Sequence, residues 1–236
     1  MRWGERNCLF FMIESSYDIT KFLPISIQSN DILDYIKYHS ENLDKSLENK
    51  IESAIFFHVH ILYMIFIYYH ILRISQEKPK EFSYSWILSS SQEKEFLKNP
   101  SSPFSFSPVN EKSVFKFFRL LDFDEGFISN ISACIKDRND MSHATGTLMQ
   151  DLDKKIATYI FSMEKIVEKS QDFFAAMHMQ FMSDNEWLFQ PGYSISRDDV
   201  EINFLYPYLI SRYEIETVFL PKEGNDELKK IFRWFC

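Results

Sequence analysis

The chemistry that this sequence could perform is concentrated in one short segment, R-N-D-M-S-H at residues 138–143. Arg138 supplies a permanent cation, and His143, with four residues between them, supplies a group that titrates near neutral pH. A cation can stabilise charge that develops on a phosphate, and a histidine can accept or donate the proton that moves. Such a pair is the minimum needed to break a phosphodiester bond without a metal ion.

Only one of the eight arginines, Arg138, is followed by a histidine at this spacing. The segment resembles the R-x4-6-H signature of HEPN-family ribonucleases, in the form with asparagine directly after the arginine. The resemblance implies a helical bundle that pairs with a second copy, so that two signatures meet in one composite cleft. Active members of the family cut RNA without metal.

By this resemblance, each residue of the motif has an expected role. Arg138 would stabilise the charged transition state at phosphorus, and His143 would act as general base or acid at the ribose 2′-hydroxyl. Asn139 would orient the phosphate or the histidine as a third catalytic residue. We further predict Lys136 and Ser142 as substrate-binding residues. The structural alternative is a solvated ion-pair cluster of Arg138 with Asp137 or Asp140, with His143 at a helix start.

The resemblance also implies a biological setting and partners. HEPN nucleases commonly serve in antiviral defence and in toxin systems, so we expect an RNA substrate, a homodimer and a cytoplasmic location. HEPN toxins controlled by nucleotidyltransferase antitoxins carry a tyrosine two residues after the histidine, where this chain has Thr145. This departure disfavours an adenylylating antitoxin and favours another regulatory protein as the partner.

Composition excludes several other classes of protein. The 236 residues include only five Gly, and neither a Rossmann nor a P-loop glycine pattern is present. The net charge of −8 argues against a general basic coat for RNA. Three distant cysteines indicate a reducing compartment, and no zinc-ligand spacing occurs. We therefore predict neither cofactor nor metal.

Hydrophobic periodicity predicts a mainly α protein with three regions. Residues 1–27 form an N-terminal segment, 28–183 a HEPN-like helical bundle, and 184–236 a small mixed appendage with a possible strand at 215–220. Within the bundle, we expect helices at 51–75, 111–121, 125–138 and 148–182, with a long central loop at 76–110 that could carry a short helix at 92–98. The motif then falls at the junction of two helices, where it could face one cleft.

One helix raises a different possibility. Residues 54–72 are nearly continuously apolar and approach the length of a membrane span. They also contain His58, His60 and His70, which we interpret as core or interface histidines of a buried central helix. Two alternatives to a nuclease therefore stay open. One is a non-catalytic HEPN-like scaffold that binds a partner, and the other is a membrane-associated helical effector.

Overall fold

The computed structural model describes residues 18–27, 29–85, 91–142, 151–176, 183 and 196–219. Those residues are mainly helical and contain no strand, apart from one isolated bridge between Pro24 and Ser211. The predicted α class is confirmed, whereas a HEPN type of bundle stays a prediction. The principal helices are α1 (Asn30–Glu48), α2 (Glu52–Glu77), α3 (Pro79–Ser85), α4 (Ser91–Leu97), α5 (Glu111–Phe115), α6 (Glu125–Ser142) and α7 (Leu152–Phe173).

Contacts divide the chain into two compact units. One unit is Glu41–Ser170, which contains α2 to α6, most of α7 and every described residue of the site discussed below. The other combines the described residues up to Ser40 with those from Gln171 onward. In it, the 3-10 turn Ile19–Phe22 packs on the helical turn Arg212–Glu214. The predicted boundaries at 27/28 and 183/184 stay predictions.

Helix α2 is the core of the larger unit, as its sequence predicts. Its apolar residues extend around the whole circumference, so every face must be covered by other elements. Tyr63, Phe56 and Phe66 are fully buried. The helix is long and apolar enough to cross a membrane, but 83% of its most apolar window is buried inside the protein. This burial favours a packing role over a membrane span.

The predicted long loop at 76–110 is more helical than expected where it is described. The short helix suggested at 92–98 is confirmed as α4, whereas α3 and a 3-10 turn at Pro103–Phe106 were not predicted. Pro79 and Pro103 suggested irregular structure, yet proline is well accommodated in the first turn of a helix, where no N–H partner is needed. Tertiary packing then stabilises these short helices: the Phe82 ring stacks on Phe117, with centroids 4.8 Å apart.

The prediction that the motif lies at a junction of two helices is also wrong, because its first five residues belong to one helix. Asp124 caps α6 by accepting a hydrogen bond from the backbone N–H of Phe127 at 2.7 Å. The helix then continues past Arg138 to Ser142, because nothing in the motif is a strong helix breaker. His143 lies outside the described residues, and the next helix, α7, begins at Leu152.

The possible strand at 215–220 is helical where it is described. Ser211 and Glu214 form a reciprocal capping box, and a π-helix follows at Ile215–Phe219. The β-branched residues there favoured a strand in the sequence, but the cap immediately before them starts a helix. Where it is described, the predicted mixed appendage is therefore helical at 197–208 and 212–219.

Candidate functional site

Arg138 is positioned by the buried face of α6. Ile128, Ile131 and Ile135 of that face are all buried. Arg138 follows Ile131 by seven residues and Ile135 by three, and these spacings place it on the same side of the helix. Its side chain is 26% exposed, so Arg138 is partly sheltered by protein.

The guanidinium is held by a carboxylate from another helix. Nη2 of Arg138 donates a hydrogen bond to Oε1 of Glu111 at 2.6 Å. Glu111 is the first residue of α5, whose start is fixed by the Asn110 side chain, an acceptor from the backbone N–H of Lys112 at 3.0 Å. Burial would raise the pKa of Glu111, but hydrogen bonds and charge from His60 and Arg138 lower it overall. Glu111 is therefore a carboxylate at neutral pH.

His60 connects this pair to the core. Its Nδ1 lies 2.8 Å from the hydroxyl oxygen of Tyr159, and that hydroxyl donates to the backbone carbonyl of Cys134 at 3.3 Å. Since the hydroxyl has a single hydrogen, Nδ1 of His60 must donate to Tyr159. Nε2 of His60 lies 3.4 Å from Nε of Arg138 and 3.6 Å from Oε1 of Glu111. Polar contacts thus connect five residues in one continuous network: Cys134, Tyr159, His60, Arg138 and Glu111.

Burial differs sharply along this network. His60 is 1% exposed and Tyr159 is fully buried, whereas 23% of the Glu111 side chain is exposed. Burial, reinforced by nearby polar groups, raises the pKa of Tyr159, so the phenol stays protonated. Burial and the Asp137 carboxylate likewise raise the pKa of the Cys134 thiol to about 12. The buried residues His60 and Tyr159 therefore support the more exposed Arg138 and Glu111. Neither the Tyr159 phenol nor the Cys134 thiol is ionised near neutral pH.

The other predicted site residues have distinct environments. Lys136 is exposed and Asn139 is half-buried, both on α6. Ser142 is the last residue of that helix, and His143 lies outside the described residues. The carboxylate of Asp137, a candidate partner of Arg138 in the ion-pair alternative, instead lies 2.6 Å from the Lys155 ammonium. The pairing of Arg138 with Glu111 comes from a more distant part of the chain than that alternative assumed.

Sequence reasoning missed three residues that contact Arg138 directly or through one neighbour: His60, Glu111 and Tyr159. His60 was correctly expected in the core, yet its partner was not identified. A histidine on an otherwise apolar helix does carry one usable signal, because buried polar groups need hydrogen-bond partners. The type of partner is not encoded near His60, so the signal indicates a network without locating it.

Among the described residues, no group of three or more His, Cys, Asp or Glu side chains has the arrangement of a metal site. Comparison of the chain with protein-family models, curated proteins and solved structures gave no match. The likeness to HEPN ribonucleases therefore rests on the motif residues, and the arrangement around Arg138 is what the structure adds to them.

Proposed function

We propose that this protein is a metal-independent endoribonuclease in which Arg138 contacts the scissile phosphate. The observation that supports the proposal is the fixed orientation of a partly exposed guanidinium by Glu111 and His60. An arginine offers five N–H donors in a rigid plane, so two contacts with neighbouring side chains determine the orientation of that plane. A preoriented donor stabilises developing negative charge without reorganising during the reaction.

The reaction would proceed by attack within the RNA backbone. His143 removes the proton from a ribose 2′-hydroxyl, whose oxygen forms a bond to the adjacent phosphorus. The bond from phosphorus to the 5′-oxygen breaks, and that oxygen takes a proton from a second acid. The products are a 2′,3′-cyclic phosphate and a free 5′-hydroxyl, and no metal, oxidant or reductant is consumed.

The other motif residues would complete substrate binding. Asn139 orients the phosphate or His143 through its amide, while Lys136 and Ser142 bind the RNA backbone near the cleaved bond. Lys136 is exposed, as a backbone-binding lysine must be. Because the net charge is −8, RNA binding depends on such local cations rather than on the charge of the whole protein.

A single motif supplies one histidine and one arginine, although the reaction needs a base, an acid and charge stabilisation at one phosphate. A homodimer supplies the missing group if two motifs meet across a two-fold axis. In a defence or toxin system of the cytoplasm, a regulatory protein partner or antitoxin would keep such a nuclease inactive. These assignments follow the HEPN resemblance and form part of the proposal.

One observation favours a non-catalytic scaffold as the second candidate. The Arg138–Glu111 pair joins α6 to α5 within one chain, which a purely structural arginine would also do. A membrane-associated effector is less favoured because α2, the apolar helix it would use, is largely buried.

The products of RNA cleavage distinguish a nuclease from a scaffold. Purified protein is incubated with mixed-sequence RNA in excess EDTA, and the ends of the fragments are determined by mass spectrometry. Cyclic phosphate ends with 5′-hydroxyl partners are expected. Intact RNA under all conditions would favour the scaffold, and fragments with 5′-phosphate ends would exclude the proposed chemistry.

A further inference from the structure

A cleft with a volume of about 310 Å³ lies between α6 and α7. Ligand sites are commonly clefts of roughly 300–1,000 Å³ in which apolar walls accompany a few polar groups. Phe127 and Asn130 from α6 line this cleft, as do Tyr159 and Phe161 from α7. All of its lining residues belong to the unit Glu41–Ser170. Neither the motif nor the network around Arg138 explains these features.

The cleft shares a wall with the Arg138 network. Tyr159 lines the cleft, and its hydroxyl is bound to His60, whose Nε2 lies 3.4 Å from Nε of Arg138. Asp137, another lining residue, directly precedes Arg138 on α6. The wall of the cleft is therefore connected to Arg138 through Tyr159 and His60, although Arg138 itself does not line the cleft.

The charges in the cleft favour a neutral ligand. Lys155 and Asp137 both line it, and their charged atoms are 2.6 Å apart, so each compensates the other. The exposed Asn130 adds an amide, which presents both donors and an acceptor. A matching ligand has a polar edge with donors and acceptors but needs no net charge.

Aromatic rings provide the apolar surface. Phe161 is 56% exposed, so much of its ring is open to solvent. Phe127 is half-buried and held by stacking on Phe123, with ring centroids 4.1 Å apart. Bases of single-stranded RNA stack on such rings and present hydrogen-bonding edges to nearby polar groups.

We infer that the cleft binds one nucleobase of the RNA, on the nucleotide adjacent to the scissile phosphate. This inference rests on the proposed ribonuclease function and assigns it a base-binding subsite. Phe161 stacks on the base, and Asn130 contacts its edge. Base contacts of this kind give the enzyme a nucleotide preference that phosphate contacts alone do not supply.

The direct test measures binding without cleavage. The four nucleoside 5′-monophosphates are titrated separately in EDTA into wild-type protein, Phe161→Ala and Asn130→Ala, and binding is followed by NMR. Phe96→Ala is the matched control, because Phe96 on α4 is also exposed and is not part of the cleft lining. At least one nucleotide is expected to bind the wild type and Phe96→Ala equally. Phe161→Ala should weaken it roughly 5- to 150-fold, the range for loss of one stacked base.

Failure of this inference is distinguishable from failure of the ribonuclease proposal. Nucleotide binding that Phe161→Ala and Asn130→Ala leave unchanged, or no nucleotide binding by wild type, would overturn the base subsite even if RNA is cut. Loss of nucleotide binding in Phe161→Ala, with no cleavage of RNA by wild type, would support the subsite and contradict the nuclease. If Phe161→Ala instead turns a dimer into a monomer and nucleotide binding is unaffected, the cleft is an interface between copies and the inference is wrong.

Discussion

Arg138 and Glu111 are joined by a hydrogen bond of 2.6 Å between Nη2 and Oε1, although 26 residues separate them in the chain. The carboxylate belongs to the first turn of α5 and the guanidinium to the last turns of α6. The contact thus fixes the motif arginine to a second helix. A carboxylate so close to the guanidinium can have either of two effects. It can orient the guanidinium, or it can block other groups from binding to it.

The Arg138–Glu111 pair should make the stability of the fold depend on pH. Hydrogen bonds from Arg138 and His60 lower the pKa of Glu111, so the pair stabilises the fold above the pKa of an unfolded glutamate, about 4.3. That contribution disappears as the pH falls through the lower pKa of the folded state. At pH 7, Glu111→Gln should reduce the free energy of unfolding by about 1–3 kcal/mol. Urea unfolding from pH 7 to pH 3 should show the difference from wild type shrinking.

Glu125→Gln is the control for this measurement. Glu125 pairs with Arg119 at the surface, where 74% of the glutamate side chain is exposed, so its loss should change stability by only about 0–1 kcal/mol. A Glu111→Gln penalty that is equally large at pH 3 and pH 7 would show that the carboxylate charge is not the stabilising feature.

Cleavage kinetics should distinguish the orienting role of Glu111 from an occluding one. If the carboxylate orients Arg138, Glu111→Gln should lower kcat by roughly 10- to 100-fold with little change in KM, because a small misplacement of a catalytic group is costly. Glu125→Gln should match wild type. An increase in kcat for Glu111→Gln would instead mean that Glu111 restrains the arginine and must be displaced by substrate.

A pair of buried tyrosines offers a matched test of the inner network. Tyr159→Phe removes the acceptor for His60 and the donor to the Cys134 carbonyl, whereas Tyr63→Phe removes the hydrogen bond between the Tyr63 and Ser162 hydroxyls. Each variant should lose about 1–3 kcal/mol of stability, as measured by urea unfolding. Only Tyr159→Phe should also lower the rate of RNA cleavage, since His60 contacts Arg138. Equal rates of RNA cleavage by the two variants would show that His60 does not contribute to the function.

The composite site makes a prediction about mixed chains. Arg138→Ala and His143→Ala chains should each be roughly 10²- to 10⁴-fold slower than wild type, and mixing them should restore part of the wild-type rate. A mixed dimer keeps one arginine and one histidine on different chains, which can act at one phosphate if the two motifs meet. The measurement is RNA cleavage after co-refolding, with sedimentation to establish the dimer. A fully active wild-type monomer would contradict the composite site.

The sequence predicts the fold best where one strong pattern governs a whole element. Helix α2 was recognisable because its apolar residues extend around every face and over many turns. The short helix Pro79–Ser85 was not, because its stability depends on contacts such as that of Phe82 with Phe117, which lie far apart in the chain. At 215–219, β-branched composition favoured a strand, and the preceding cap at Ser211 determined the outcome.

The candidate site was predictable only as far as its local motif. Arg138 could be identified from its spacing to His143, which is a property of six consecutive residues. Its partners could not, since His60 precedes it by 78 residues, and Tyr159 is 99 residues from His60. Such pairings are determined by how helices pack, and a single sequence contains no direct record of that packing.

The central claim, that Arg138 and His143 cut RNA, is tested most directly by cleavage in EDTA with single substitutions. Wild type, Arg138→Ala, His143→Ala and the control Arg119→Ala are compared after thermal unfolding has shown that each is folded. Wild type and Arg119→Ala should cut RNA at similar rates, and each motif variant should be roughly 10²- to 10⁴-fold slower, the range for one acid–base group or one charge-stabilising donor. Folded Arg138→Ala and His143→Ala proteins that cut RNA as fast as wild type would contradict the account.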